Sequence, residues 1–104
     1  MSGLHTAFCD LVGVRYPIVQ TGMGWVSGPR LTAATSAAGA FGILASATMT
    51  FTELEAAIAD VRARTTAPFG VNLRADQPDI ERRVDLLIAA RVRLASFAQA
   101  PSKA

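Results

Sequence analysis

Histidine, cysteine, tryptophan and tyrosine occur once each in the 104 residues, and charged side chains make up only 17% of them. A lone cysteine, Cys9, closes no internal disulfide, and one histidine with one cysteine provides no metal-ligand spacing. His5 stands in an N-terminal lead-in, distant in sequence from every strand end, and reads as a surface or packing residue, not an acid–base group. Cys9, beside Phe8 and Leu11 with no basic neighbour to lower its pKa, reads as a small buried filler. The first residues lack a basic flank followed by an apolar signal segment, so a cytoplasmic location is expected. Ten basic and eight acidic residues are scattered to a net +2 with no concentrated stripe, and no nucleic-acid partner is expected. Charge is also missing from Leu31 to Thr52. That stretch is interrupted by Thr32, Thr35, Ser36, Gly39, Gly42, Ser46, Thr48 and Thr50, whereas a membrane span needs a predominantly apolar run, so none is expected.

What the chain does have is apolar surface to bury: 51% of its residues are hydrophobic, which excludes a disordered tail and fits strands covered on both faces. At this length one domain is expected. Leu4, Phe8, Leu11 and Val12 recur at helical spacing before Gly13, which gives a lead-in helix within residues 1–13. Pro17 to Gln20 reads as a first strand, opened by a proline where a missing backbone donor is tolerated. Ser27-Gly28-Pro29 opens a helix to Ala38 with Leu31, Ala34 and Ala38 on one face and Gly39 just past its end. Phe41 to Ser46 is a second strand. Thr50 and Glu53 form a capping box, with Met49 stapled to Leu54, for a helix whose apolar face is Leu54, Ile58 and Val61 and whose solvent side carries Asp60 and Arg64.

After Pro68, Phe69 to Leu73 is a third strand. Asp76 or Gln77 followed by Pro78 opens a helix with Ile80, Val84, Leu87 and Ile88 on one side, and Val92 to Phe97 is a fourth strand. The strand centres Ile18, Ile43, Val71 and Leu94 lie 25, 28 and 23 residues apart, each gap holding one helical pattern. Such alternation is the signature of an α/β fold with a parallel sheet and right-handed crossovers, so the strands' C-terminal ends share one edge.

That edge is where α/β proteins place their chemistry. It collects Gln20, Thr21, Gly22, Met23, Gly24 and Trp25, then Ser46 to Thr48, Asn72, and Ala98 to Lys103. Gly22 and Gly24 let the backbone approach a flat ligand. Asn72, with one acceptor and two donors, matches the alternating edge of a flavin pyrimidine ring, and the plainer alternative is a strand-end turn cap. Trp25 and Met23 either wall an apolar pocket or pack in the core. The run Gly22-x-Gly24-x-x-x-Gly28 only imitates the dinucleotide fingerprint: its last spacing is off by one, and Ala45 to Thr52 offers no acid for a ribose.

Three segments carry a resemblance: Arg15-Tyr16-Pro17-Ile18-Val19-Gln20-Thr21-Gly22-Met23, Ala38-Gly39-Ala40-Phe41-Gly42-Ile43-Leu44 and Ala67-Pro68-Phe69-Gly70-Val71-Asn72-Leu73. In order and spacing the chain resembles the nitronate monooxygenases, also called 2-nitropropane dioxygenases. The resemblance implies the N-terminal part of a TIM (β/α)8 barrel, with residues 1–104 a partial FMN-binding domain and its β/α units at 17–104. It implies FMN with the Thr21, Gly22 and Met23 turn under the isoalloxazine ring and Asn72 bonded to it, and oxygen-dependent oxidation of a nitronate. Thr21-Gly22-Met23 departs from the family's common Ala-Pro-Met. Gly24-Trp25-Val26 and Pro101-Ser102-Lys103 look more like the flavin-dependent enoyl-thioester reductases of the same superfamily, which implies an acyl thioester substrate with NAD(P)H as the other partner.

A complete barrel takes about 250 residues and draws its phosphate site from the loops after strands seven and eight. By the resemblance, the chain is expected to lack both that site and the family's catalytic histidine, to contribute no catalytic residue of its own and to be inactive alone. Exposed strand edges would favour self-association of such a piece. A small independent α/β binding module also fits the pattern, and it would behave as a cooperative monomer without flavin.

Overall fold

Gly13 and Gly39 sit at positive φ, +78° and +101°, and each ends a helix by turning the chain where a side chain would be strained. The Gly39 carbonyl then accepts from both Arg15 and Tyr16 N–H at 2.9 Å, which ties the lead-in to the chain entering the second strand. A computed structural model describes residues 5–98. Its elements are α1 (Ala7–Val12), β1 (Val19–Gln20), α2 (Pro29–Ala37), β2 (Phe41–Ala45), α3 (Phe51–Arg64), β3 (Phe69–Leu73), α4 (Ile80–Ala89) and β4 (Leu94–Phe97). All neighbouring strands pair in parallel in the order β1-β2-β3-β4, as the alternating pattern predicts. The charge-free stretch 31–52 is divided between α2, β2 and the turns around them, and no helix among the described residues is long and apolar enough to cross a membrane.

The two sheet faces are buried differently. Leu44, Phe69, Val71 and Leu73 join Leu54, Ala57, Ile58 and Val61 of α3 and Leu87 of α4 in the larger core. On the opposite face Phe41 and Ile43 meet Cys9 and Val12 of α1, and Phe8 stands edge-on to Phe41 with ring centroids 6.2 Å apart. Cys9 is the small buried filler expected of it, and His5 is an exposed residue bonded to Asp10 at 2.7 Å. The predicted α3 box forms in full: Thr50 Oγ1 accepts from Glu53 N–H at 3.1 Å, and the Glu53 carboxylate accepts from Thr50 N–H at 2.9 Å. Met49 packs on the core that includes Leu54, and Asp60 pairs with Arg64 at 2.8 Å.

Hydrogen bonds from the Thr50 backbone and then its side chain hold the Glu53 carboxyl below its usual range. Because the folded pKa lies below the unfolded one, this contribution to stability is complete above the unfolded value and fades as pH falls through the folded one. Thr50→Ala is expected to cost about 1 kcal/mol, read as a lower urea midpoint at unchanged slope. An unshifted midpoint would mean that the box is dispensable.

Several expectations are corrected. The buried face of α2 is Thr32, Ala33 and Ser36, while Leu31, Ala34 and Ala38 face outward. The cause is Gly42, which has no side chain to keep α2 away, so the helix lies on β2 through small residues, and Ser36 Oγ accepts the Gly42 N–H at 3.1 Å. Ile88 is 69% exposed, and the charged Arg83 takes the buried position on α4 instead. The α4 cap falls on Asp79, whose side chain makes no capping bond to the helix backbone, because residues 74–79 are drawn into turns, with Gln77 N–H on the Arg74 carbonyl at 3.2 Å and Arg74 paired with Asp76. The first strand shrinks to Val19–Gln20 because Ile18 N–H turns back to the Tyr16 carbonyl at 2.8 Å, and the fourth begins at Leu94. Residues 1–4, where the lead-in was expected to begin, lie outside the described residues.

Candidate functional site

The turn after β1 is organised by Ser27, a fully buried hydroxyl. Its Oγ donates to the Thr21 carbonyl at 3.0 Å and accepts from Met23 N–H at 2.8 Å and from Gln20 Nε2 at 2.9 Å. Gln20 Nε2 also reaches the Ile43 carbonyl at 3.1 Å, and Ala45 N–H donates to the Ser27 carbonyl at 3.0 Å, so the turn is fastened to β2. Its tip closes through Val26 and Ser27 N–H on the Met23 carbonyl. Trp25, at the tip, has φ +60°, a left-handed conformation that strains a bulky residue, and it is 90% exposed. Met23 is exposed as well. The core-packing reading of Trp25 and Met23 is therefore overturned: the bonds to Ser27 direct the loop outward, past the sheet edge.

Gly22 and Asn72, far apart in sequence, are brought into contact. A Cβ on Gly22 would lie 2.7 Å from Asn72 Cβ, so only glycine allows the turn to lie there. Asn72 is held from both neighbouring strands. Register places it opposite Ala45 on β2 and Ser96 on β4. Its carbonyl accepts from Ser46 Oγ at 2.6 Å and Ser46 N–H at 3.3 Å, and its Nδ2 donates to Ser96 Oγ at 2.8 Å. The side chain thus reaches across to another strand's hydroxyl and does not cap its own turn. Thr21 is exposed at the turn's start, its carbonyl taken by Gln20 and Ser27.

Behind this edge lies Arg83, 3% exposed. Its Nε donates to Asp79 at 2.9 Å, Nη1 to the Ser46 carbonyl at 2.8 Å and Nη2 to the Met49 carbonyl at 2.5 Å. Sequence reasoning did not single out Arg83 or Ser96 as site residues, gave Ser27 only a helix cap, and noted Gln20 and Ser46 only as edge positions. The sole signal for Arg83 was its i, i+4 spacing from Asp79.

Chemically, the described edge offers backbone amides, hydroxyls and carboxamides, with no acid, lysine or histidine from Gln20 to Trp25, from Ser46 to Thr48, at Asn72 or from Ser96 to Ala98. It can bind and orient a polar planar group, and none of these side chains has a pKa suited to moving a proton near neutrality. Gln20 Oε1 is buried without a hydrogen-bond partner among the described residues. The remaining part of the predicted edge, Gln99 to Lys103, lies outside the described residues.

The comparisons with known proteins agree with this architecture. Residues 5–102 match the family profile described as nitronate monooxygenase. The chain is 62% identical over 103 residues to a hydroxy-methyl-oxo-octahydroindene-carboxyl-CoA dehydrogenase of Rhodococcus jostii, covering 99% of this chain and 29% of that protein. It is 41% identical over 71 residues to a nitronate monooxygenase of Pseudomonas aeruginosa, covering 68% of this chain and 20% of that one. It spans under a third of the length of these relatives. Among solved structures, FabK from Thermotoga maritima superposes with a TM-score of 0.88 at 35% identity over 92% of this chain and 31% of FabK. A nitroalkane oxidase from Streptomyces ansochromogenes superposes with a TM-score of 0.61 at 38% identity over 81% of this chain and 25% of the oxidase. Both are TIM-type barrels, and the four parallel β/α units correspond to part of that architecture. On this evidence the chain belongs to the nitronate monooxygenase family.

Proposed function

We propose that this chain supplies one side of the flavin site of an FMN-dependent oxidoreductase that acts on an acyl-CoA thioester, with NAD(P)H or its oxidised form as the second redox partner. The observation that carries the flavin reading is the contact between Gly22 and Asn72, which sets a bare backbone turn beside a carboxamide at the sheet's C-terminal edge. The residues fit the group. Gly22 lets the bare backbone of the turn lie against Asn72, and Asn72 retains its acceptor and a second amide hydrogen. When bound, the flavin supplies hydride transfer. The chain's own residues hold and orient it: Ser27 fixes the Thr21–Met23 turn, and Ser46 with Ser96 fixes Asn72. Since no side chain on the described edge suits proton transfer, this chain is expected to bind and not to turn over by itself.

The thioester substrate is supported by the 62% identity to a carboxyl-CoA dehydrogenase across nearly the whole chain. Oxygen-dependent nitronate oxidation is the second reading, supported by the lower and shorter identity to the Pseudomonas aeruginosa nitronate monooxygenase. Exposed Ile18 and Val19 beside the β1 edge favour self-association of the isolated chain.

A flavin fluorescence titration beside a sizing column tests the cofactor reading. Wild type is expected to quench FMN fluorescence stoichiometrically, and Asn72→Ala to weaken binding about tenfold, the worth of one net hydrogen bond. Wild type without affinity for FMN, or Asn72→Ala with unchanged affinity, would remove the site from these residues.

A further inference from the structure

We infer that Ser96 is a positioning residue whose hydroxyl orients the Asn72 carboxamide toward the flavin, an inference that rests on the flavin-binding reading above. Asn72 is restrained at three points by three different elements. Ser46 grips its backbone carbonyl with two hydrogen bonds, the turn at Gly22 lies so close that an added Cβ would meet the Asn72 Cβ at 2.7 Å, and Ser96 Oγ receives its Nδ2 at 2.8 Å. The first two restraints fix where the residue stands and leave the plane of the amide free to rotate, because neither touches Nδ2 or Oδ1. Only the third, from the same rung of the β3–β4 ladder, acts on the amide itself.

A terminal carboxamide has a broad, roughly two-fold torsional profile, so without such a partner it would spread over orientations that exchange donor for acceptor. With one Nδ2 hydrogen committed to Ser96, the acceptor Oδ1 and the second hydrogen are presented together in one plane. That is the arrangement needed for a ring edge carrying an acceptor and a donor side by side. Ser96 is half-buried near the end of β4, and the described hydrogen bond of its hydroxyl is the one to Asn72.

The test compares Ser96→Ala, Ser96→Val and Ser96→Thr in the whole chain. Valine and threonine have nearly the same shape and differ in the hydroxyl, so a packing effect would strike both and a positioning effect only valine. The expected result is a side-chain amide signal of Asn72 that moves in the nuclear magnetic resonance spectrum of Ser96→Ala and Ser96→Val before any flavin is added. FMN affinity should fall about tenfold in both and stay close to wild type in Ser96→Thr. Threonine losing affinity as valine does, or alanine and valine binding as wild type does while Asn72→Ala is weakened, would overturn the role of Ser96 and leave the flavin reading standing. Unchanged affinity in Asn72→Ala, or no affinity in wild type, would overturn the flavin reading and this inference with it.

Discussion

Gly42→Ala is expected to destabilise the chain by about 3 kcal/mol, a large loss for adding one methyl group. A Cβ built on Gly42 overlaps the Thr32 carbonyl oxygen and lies 3.1 Å from both Thr32 C and Ser36 Oγ. The obstruction is helix backbone, which cannot swing aside as a flexible side chain can, so α2 has to lift from β2. Overpacking of this kind costs about 1–3 kcal/mol. Lifting also stretches the buried bond between Gly42 N–H and Ser36 Oγ, worth about 1 kcal/mol more. The displacement reaches the site, because Ser27, just before α2, accepts from Ala45 N–H at the end of the same strand. Urea denaturation read by circular dichroism measures the loss, with Gly28→Ala as the comparison: nothing lies within 4 Å of a Cβ there, so its loss should stay within the ~1 kcal/mol that alanine costs at a helix N-cap. If Gly42→Ala unfolds at the wild-type midpoint, the close packing of α2 on β2 contributes nothing to stability.

The same glycine shows why some of the fold was legible in the sequence and some was not. Local signals were read correctly: the Thr50–Glu53 box, the Asp60–Arg64 pair, Gly13 and Gly39 as helix stops, and strands β2 and β3 with their parallel order. Each rests on neighbours within one turn or on an alternation repeated along the chain. The buried face of α2 was misread because apolarity pointed to Leu31 while contact distance favoured Thr32, Ala33 and Ser36, and that distance is set by a residue on another element. Ile88 was misread for a related reason, since the buried position on α4 went to an arginine with three partners.

For the site, the glycine-rich turn and Asn72 could be assigned to one edge from strand order alone. Their direct contact could not, because it depends on a register that aligns Ala45, Asn72 and Ser96 across three strands. Trp25 shows the reverse situation: a residue type usually found packed is held outward by a strained turn whose fastening, Ser27, resembled an ordinary helix cap. The polar groups that hold this edge are serines, too common in loops to stand out in a sequence, and they acquire meaning only once the strands are aligned.

Arg83→Leu is expected to cost about 3 kcal/mol, because the guanidinium holds three groups that no other described side chain satisfies in its place. Two are carbonyls of the β2–α3 loop: Met49, which costs about 1–3 kcal/mol if left without a partner, and Ser46, which keeps the Met49 N–H at 3.0 Å and loses only a second bond, worth about 1 kcal/mol. The third, Asp79, has a side chain one-third exposed, so water recovers most of what it loses and the carbonyls dominate. Leucine fills part of the space with apolar atoms, which offsets some of the loss without bonding either carbonyl. Lysine can reach one partner in place of three, so Arg83→Lys should fall between leucine and wild type. Because Ser46 also grips the Asn72 carbonyl, loosening its loop should transmit to the site as faster hydrogen exchange at Ser46 N–H and weaker FMN binding. Asp79→Asn, which keeps an acceptor for Nε, should do neither to a measurable extent. Equal losses in Arg83→Leu and Asp79→Asn would place the value of this cluster in the ion pair and not in the clasp on the loop, and the link from α4 to Asn72 would then have to be abandoned.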